Sequence, residues 1–360
     1  MPTTAIKVDL PIEREYWNML RLVRVAALLT FGVMIADVRA GSEDLDKIDP
    51  VMGYWEGEWN DEMSGAQGFC SARIVGQAKL SFRCLFEAEV DGAAAEFEFP
   101  LKAESAENLE FVGKIDLGDE RGGEADYKYT VKEGKLTGTV SNDSVKVAIT
   151  MERVYRKPPT LGAKAPEGAK VIFDGTSLDN FTKTDGKPAK WRLVEGGAMQ
   201  VAPGGGNIVS KDKFLDQAIH IEFRTPYMPG MRGQARGNSG VYVGGNFEVQ
   251  VLDSFGEPAR DNEAGGVYKI AVPKENAALP PGEWQAYDIT YKAPKTDSSG
   301  KITTPGEMTV VYNGKTIHDK IAVNAITQGG AGGDMGKPGP LLLQDHGNPV
   351  EFRNIWIKPL

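Results

Sequence analysis

Residues 247–254 read FEVQVLDS and place groups capable of acid–base chemistry on one extended segment. Because side chains alternate along a strand, Glu248 and Gln250 share the face opposite to the apolar residues of this run. Asp253 breaks the alternation, which predicts a kink that brings its carboxyl round to the same polar face. A half-exposed edge strand is the alternative, since a carboxylate on a strand is more often solvated than reactive.

Three further polar clusters lie in the second half of the chain. They are Glu222 in HIEFRTP, the loop RGQARGNSG at 232–240, and LQDHG at 343–347. A two-sheet jelly roll presents alternating residues of neighbouring strands on one concave face. On this reasoning the residues expected to converge there are Glu222, Tyr242, Glu248, Gln250 and Tyr268.

The elements that must position these residues are strands. Short alternating runs fill residues 41–155, which predicts a small β barrel or sandwich domain of unknown role. The Pro- and Gly-rich segment 156–168 reads as a linker. Strand patterns without an amphipathic helix then continue over 169–360, which predicts a jelly-roll sandwich and an all-β protein. With 41 Lys+Arg against 50 Asp+Glu, the net charge of −9 argues against a nucleic-acid partner.

The first forty residues predict a secretory signal. Arg21 and Arg24 precede VAALLTFGVMIA at 25–36, and the small residues of VRA suit cleavage after Ala40. The apolar stretch is shorter than the ~20 residues that a membrane-spanning helix needs. We therefore expect a secreted or periplasmic protein with no membrane span, and an uncleaved N-terminal anchor is the alternative.

Two cysteines lie in the first β region. Cys70 and Cys84 are equally distant from Gln77, so a hairpin turning there would set them opposite each other. An oxidising compartment then favours a disulfide between them, with free thiols as the alternative.

A family resemblance covers residues 169–360. It rests on VIFDGTSLDNF, GNSGVYV, FEVQVLDS, GGVYK, GEWQAYDI, VYNGK and LLLQDHGNPVEFRNIWIKPL, which occur in a consistent order. Together these segments resemble the 3-keto-disaccharide hydrolase family. The resemblance implies a concanavalin A-like β sandwich that acts on sugars oxidised at carbon 3.

The EVQVLD strand is also similar in spacing to the E-x-D-x-x-E strand of laminarinase-type endoglucanases. In that strand a β-bulge brings three acids to one face. Glu248 matches the first acid, but Gln250 replaces the middle one and Asp253 is a shortened version of the last. These departures argue against ordinary hydrolysis by paired carboxylates.

A keto sugar needs less machinery. The C3 carbonyl acidifies the C2 proton, so one base can start an elimination that expels the aglycone, and water can add afterwards. We expect Glu248, or Glu222 on another strand, to be the base. The candidate residues for binding the substrate are Arg236, Tyr242, Gln250, Asp253, Tyr268 and Gln344.

His346 is the third catalytic candidate, and Asp345 is placed to orient its ring. A turn residue bonded to the backbone is the alternative for His346. No redox cofactor is expected, while a divalent ion bridging His346 with Glu222 or Glu248 would polarise a keto–enol pair. His220 and His318 are out of phase with the polar clusters and are expected at the surface.

A non-catalytic carbohydrate-binding module with the same sandwich is the competing function, and a laminarinase-type glucan hydrolase is the third. An enzyme requires a concave acid cluster with a raised pKa, whereas a binding module requires an exposed aromatic platform. Polar clustering in the second half favours the enzyme.

Overall fold

Strands dominate the computed structural model, which describes residues 48–90, 92–299 and 301–360. The described part of the chain also contains two short 3-10 turns, Asp119–Arg121 and Gly233–Ala235. The predicted signal region, residues 1–40, lies outside the described residues. None of the helices among the described residues has the length and apolar character needed to cross a membrane.

The first eight strands form one antiparallel sheet. They are β1 Gly53–Asp61, β2 Gln67–Gly76, β3 Ser81–Val90, β4 Ala93–Lys102, β5 Glu110–Asp116, β6 Glu124–Lys132, β7 Lys135–Ser141 and β8 Lys146–Val154. Their order, β4-β3-β2-β1-β8-β7-β6-β5, curls the sheet until its end strands β4 and β5 touch. Buried aromatic side chains such as Trp55, Phe111 and Tyr129 fill the interior. The predicted small β barrel is confirmed.

The predicted disulfide in this barrel is wrong. The β2–β3 ladder is centred on residue 79, so Cys70 lies opposite Ala88 and Cys84 lies opposite Ile74. Both cysteines are free thiols that point into the barrel core. Burial raises the pKa of Cys70 to about 12 and that of Cys84 further still, which makes both thiols poor nucleophiles.

The second half forms a sandwich of two sheets, as predicted. Its strands are β9 Lys170–Phe173, β10 Phe181–Lys183, β11 Arg192–Val194, β12 Ala198–Gln200, β13 Ile208–Phe214, β14 Gln217–Arg224, β15 Ser239–Val243, β16 Phe247–Val251, β17 Gln285–Lys292, β18 Lys295–Thr296, β19 Ile302–Thr304, β20 Gly306–Tyr312, β21 Lys315–Val323, β22 Gly339–Leu343 and β23 Glu351–Pro359. The five-stranded sheet has the order β10-β13-β22-β15-β16. The larger sheet has the order β11-β12-β23-β14-β17-β20-β21, with β9 beside β23.

Strand alternation divides the side chains of each sheet between the core and an outer face. Val241 and Val249 of the five-stranded sheet meet Ile221 and Ile355 of the larger sheet in one apolar core. The neighbouring residues in each strand therefore point away from this core. Glu248 lies on the outer face of the five-stranded sheet, while Glu222 of β14 lies on the outer face of the other. The apolar core separates these two carboxyls.

Candidate active site

Five of the predicted residues meet on the outer face of the five-stranded sheet. In the β15–β16 ladder, Tyr242 lies directly opposite Glu248. On the other side of β16, the backbone N–H of Tyr268 donates to the carbonyl oxygen of Glu248 at 3.0 Å. Gln344, just after β22, donates from Nε2 to the Tyr242 hydroxyl at 3.0 Å. We call Tyr242, Glu248, Gln250, Tyr268 and Gln344 the Glu248 face.

The Glu248 carboxyl is a buried acid without a cation. The residue is 3% exposed, and no Lys, Arg or His in the described part of the chain forms an ion pair with it. Burial raises the pKa of Glu248 to about 7, against a smaller lowering by a hydrogen bond from Tyr242. A carboxyl with this pKa can exchange a proton near neutral pH, as a general base must.

A glycine makes room for this carboxyl. A Cβ atom at Gly240 would lie only 2.4 Å from Glu248 Oε1, so a side chain at 240 would displace the acid. Gly240 is opposite Gln250 in the ladder, which leaves the carboxyl lying across the neighbouring strand. The GNSGVYV segment therefore contributes the Tyr242 side chain and, at Gly240, the space that the Glu248 carboxyl occupies.

Tyr242 and Gln344 form the other end of the face. The Tyr242 hydroxyl has one proton, which it shares between the carbonyl oxygen of Gln328, at 2.9 Å, and the Glu248 carboxyl. Gln344 Oε1 is buried and has no hydrogen-bond partner among the described residues. Since an unpaired buried acceptor is costly, this oxygen is suited to receive a hydroxyl from a ligand. A Cβ at Gly329 would lie 2.8 Å from the Tyr242 hydroxyl, so the loop after β21 packs closely over it.

Gln250 belongs to an amide cluster. Its Nε2 donates to Asn238 Oδ1 at 3.2 Å and to Gln234 Oε1 at 3.3 Å, and Asn238 Nδ2 donates to the carbonyl oxygen of Gln234 at 2.8 Å. A carboxylate at position 250 would meet two acceptor oxygens instead, which explains why an amide stands there. Gln234 was not among the predicted site residues. Its signal was the run of polar residues in RGQARGNSG.

Arg236 and Asp253 do not join the Glu248 face. The Arg236 guanidinium is 4% exposed and lies 3.1 Å from the Asp253 carboxylate, and it also donates twice to the Asp253 carbonyl oxygen. Burial raises the pKa of Asp253 to about 6, although Arg236 lowers it. The expected kink brings Asp253 to Arg236 rather than to Glu248, and neither side chain is free to hold a substrate.

Glu222 is also misplaced by the sequence prediction, because its side chain points away from the core on the larger sheet. Its carboxylate accepts hydrogen bonds from Arg353 Nε at 2.7 Å, from Asn354 Nδ2 at 2.8 Å and from the Gly162 N–H at 2.5 Å. Burial raises the pKa of Glu222, but these bonds and that of His220 lower it to about 2. Glu222 therefore anchors the segment between barrel and sandwich, and its low pKa makes it a weaker base than Glu248.

The expectation that His220 is a surface residue is wrong. Its ring is fully buried, stacks on Trp356 and lies 2.7 Å from Asp288 Oδ1. Burial lowers the pKa of His220, but Asp288 and Glu222 raise it to about 9. Thr160 donates to Asp288 at 2.6 Å, so this group also holds the interdomain segment. His318 is buried too, with Nε2 at 2.8 Å from the Gly265 carbonyl oxygen.

His346 is exposed, two residues beyond Gln344. The orienting role of Asp345 stays a prediction, and the two carboxylate oxygens accept the N–H groups of Gly206, at 2.8 Å, and Gly347, at 3.0 Å. Within the described ranges, no group of three or more His, Cys, Asp or Glu side chains is arranged to hold a metal ion.

Comparisons relate part of the chain to known proteins. Residues 168–358 match the family described as the 3-keto-alpha-glucoside-1,2-lyase-like domain. A 3-keto-disaccharide hydrolase of Bacteroides thetaiotaomicron is 24% identical over 238 residues, which cover 54% of this chain and 79% of that protein. A crystal structure of a protein from Parabacteroides distasonis, assigned as a glycosyl hydrolase, is 38% identical with a TM-score of 0.51. The matched region covers 54% of this chain and 85% of the Parabacteroides distasonis chain.

Proposed function

The chain belongs to the 3-keto-alpha-glucoside-1,2-lyase-like family through residues 168–358, and from this premise we propose that it cleaves 3-keto-disaccharides or 3-keto-glucosides with Glu248 as the base. The names of its relatives support a glycosidase-type enzyme. The keto-sugar substrate and the elimination mechanism are supported by the chemistry of the Glu248 face.

The reaction begins with proton transfer. Glu248 takes the proton from C2, and the electron pair of that C–H bond moves toward the C3 carbonyl to form an enolate. The pair then returns to form the C1=C2 double bond while the C1–O bond breaks, and the aglycone oxygen leaves with the proton that Glu248 took from C2. Water adds at C1 and a proton returns to C2, which gives net hydrolysis. The family description, a 1,2-lyase, supports bond formation between these two carbons.

The observation that carries this proposal is the state of Glu248. Its carboxyl is buried, has no cationic partner among the described residues and has a pKa of about 7. The same carboxyl paired with Arg or Lys would be a weak base. A developing enolate or leaving oxygen can take over the Tyr242 hydroxyl proton from the Gln328 carbonyl oxygen, and Gln344 Oε1 can accept a sugar hydroxyl.

The laminarinase-type mechanism has no second acid on this face. Gln250 is an amide held by Gln234 and Asn238, and Asp253 is paired with Arg236. Hydrolysis of an unactivated glycoside uses two carboxyl groups, whereas elimination from a keto sugar uses one base. The single acid therefore favours the keto sugar.

The elimination requires no redox cofactor, because the substrate arrives already oxidised. A divalent ion at His346 would act by polarising the C3 carbonyl, and adding a chelator to the assay tests it. We also propose that the protein works outside the cytoplasm, on the basis of the signal-like residues 1–40.

The decisive assay compares a 3-keto-glucoside with the same glucoside before oxidation. We expect release of the aglycone only from the keto form, and incorporation of deuterium at C2 of the product when the reaction runs in D2O. Glu248→Gln should lower kcat by at least about 10³-fold, since it removes the base. Glu307→Gln, on β20 of the larger sheet, is the matched control and should retain full activity.

The pH dependence gives a second readout. Glu248 must be ionised to act, so kcat/KM should fall as the pH drops below about 7. Cleavage of the unoxidised sugar alone, or full activity of Glu248→Gln, would refute the proposal. Tight binding of sugar with no turnover by the wild type would favour the carbohydrate-binding module.

A further inference from the structure

The barrel contacts the sandwich at the chain segments that flank the β15–β16 hairpin. This hairpin carries Tyr242, Glu248 and Gln250, and Ser239 opposite Val251 is its last pair at the open end. Residues 225–238 lead into the hairpin and residues 252–257 lead out of it. Both segments touch the barrel.

The outgoing segment is held by apolar packing and by an arginine. Phe255 is 1% exposed and packs with Met52 and Val75 of the barrel in a separate apolar cluster. Arg83 lies on β3, and its Nη2 atom donates to the Gly256 carbonyl oxygen at 2.9 Å and to Glu257 Oε1 at 2.7 Å. A Cβ at Gly256 would lie 2.3 Å from Val75 Cγ2, so the two parts approach more closely there than any other residue would permit.

The incoming segment is held by two polar contacts. The Tyr227 hydroxyl donates to Asp49 Oδ2 at 2.5 Å, and Arg232 Nη2 donates to Gln77 Oε1 at 2.7 Å. Two residues after Arg232, Gln234 begins the amide cluster that holds Gln250.

The two segments are also joined to each other, by the buried pair of Arg236 and Asp253. A restraint that the barrel places on either segment therefore acts on both strands of the hairpin.

We propose that the barrel is a positioning element for the Glu248 face. The inference rests on the proposed function for its catalytic consequence, but its structural content is independent: the barrel restrains the open end of the hairpin from both sides. A displacement of about 1 Å at a reacting group can cost about 10²-fold in rate. The positioning residues are Arg83 and Asp49 in the barrel with their partners Glu257 and Tyr227.

The test uses the full chain with the double substitution Arg83→Met and Tyr227→Phe. Arg73→Met is the matched control, because it removes an ion pair of similar length, with Glu87, that lies wholly within the barrel. Amide hydrogen exchange is measured for residues 239–251 in each protein. We expect exchange in the double variant to be about 10-fold faster than in the wild type, and exchange in the control to be unchanged.

Kinetics on the 3-keto-glucoside supply the catalytic readout. We expect kcat of the double variant to fall about 10-fold more than kcat of Arg73→Met. Using Arg83→Lys in place of Arg83→Met should restore part of the lost kcat. A change confined to the melting temperature, with hairpin exchange and kcat equal to those of the control, would overturn the proposal. If the double variant does not fold, Arg83→Met and Tyr227→Phe are measured singly by the same criteria.

The two proposals fail in different ways. If the wild type does not act on a keto sugar, the proposed function fails, while hydrogen exchange still decides whether the barrel restrains the hairpin. If Glu248→Gln is inactive but the double variant behaves like the control, the positioning role alone is wrong.

Discussion

Replacing Glu248 by Gln should stabilise the protein, and the gain should grow with pH. The carboxyl has a pKa of 4.5 in an accessible chain and about 7 in the fold, where burial disfavours its charged form. A group whose pKa is raised by folding contributes stability that is fully present below the unfolded pKa and is lost as the pH rises through the folded pKa. The Gln side chain has nearly the same shape and does not ionise.

The size of the effect follows from the two pKa values. Each pKa unit corresponds to about 1.4 kcal/mol, so at pH 8 keeping Glu248 ionised in the fold costs about 3 kcal/mol relative to the unfolded chain. At pH 5 the folded carboxyl is neutral and the unfolded one is mostly ionised, and the cost falls to about 1 kcal/mol. The advantage of Glu248→Gln over the wild type should therefore rise by about 2 kcal/mol between pH 5 and pH 8.

Urea denaturation of both proteins at pH 5, 6, 7 and 8 measures this difference. The slope of the unfolding free energy with urea concentration should be the same for the two proteins, so that the midpoints report stability. A difference that stays constant over this pH range would show that Glu248 titrates normally. It would then remove the main physical reason for regarding this residue as the base.

Two other substitutions separate the roles of the polar residues. Glu222→Gln should lower the free energy of unfolding by about 3–5 kcal/mol, because it removes the carboxylate that pairs with Arg353 and leaves His220 with the Asp288 carboxylate alone. The turnover of the folded fraction should be unchanged, and a selective loss of kcat would return Glu222 to the list of bases. Tyr242→Phe should lower kcat about 10-fold and move the acid limb of kcat/KM to higher pH, since it removes the hydrogen bond that lowers the pKa of Glu248. A limb that stays in place would show that the hydroxyl does not interact with the acid.

Strand alternation explains why part of the site was predictable. Within one strand, the spacing of Glu248 and Gln250 determines that they share a face, and the same rule places Tyr242 on that face, opposite Glu248, once two strands pair. Alternation does not say which sheet a strand joins. Glu222 obeys the same pattern in HIEFR, but β14 belongs to the larger sheet and its outer face looks away from Glu248.

Long-range contacts account for the other errors. His220 is buried because Trp356 and the segment after the barrel cover an outer face, and a local pattern cannot reveal such a cover. The predicted pairing of the two cysteines is wrong because the β2–β3 hairpin has a different register. Lys79 and Leu80 adopt left-handed φ angles of 61° and 56°, and the ladder is centred two residues later than the predicted turn at Gln77.

Burial alone does not make a base, as the two carboxyls of the sandwich demonstrate. Glu222 and Glu248 are both almost fully buried, yet the pKa is about 2 for the first and about 7 for the second. The difference lies in the donors: Glu222 faces Arg353 and His220, which stabilise its charged form, whereas the hydrogen bond to Glu248 comes from the neutral Tyr242 hydroxyl. No cation among the described residues pairs with Glu248, so the face retains a carboxyl whose pKa suits the proposed proton transfer.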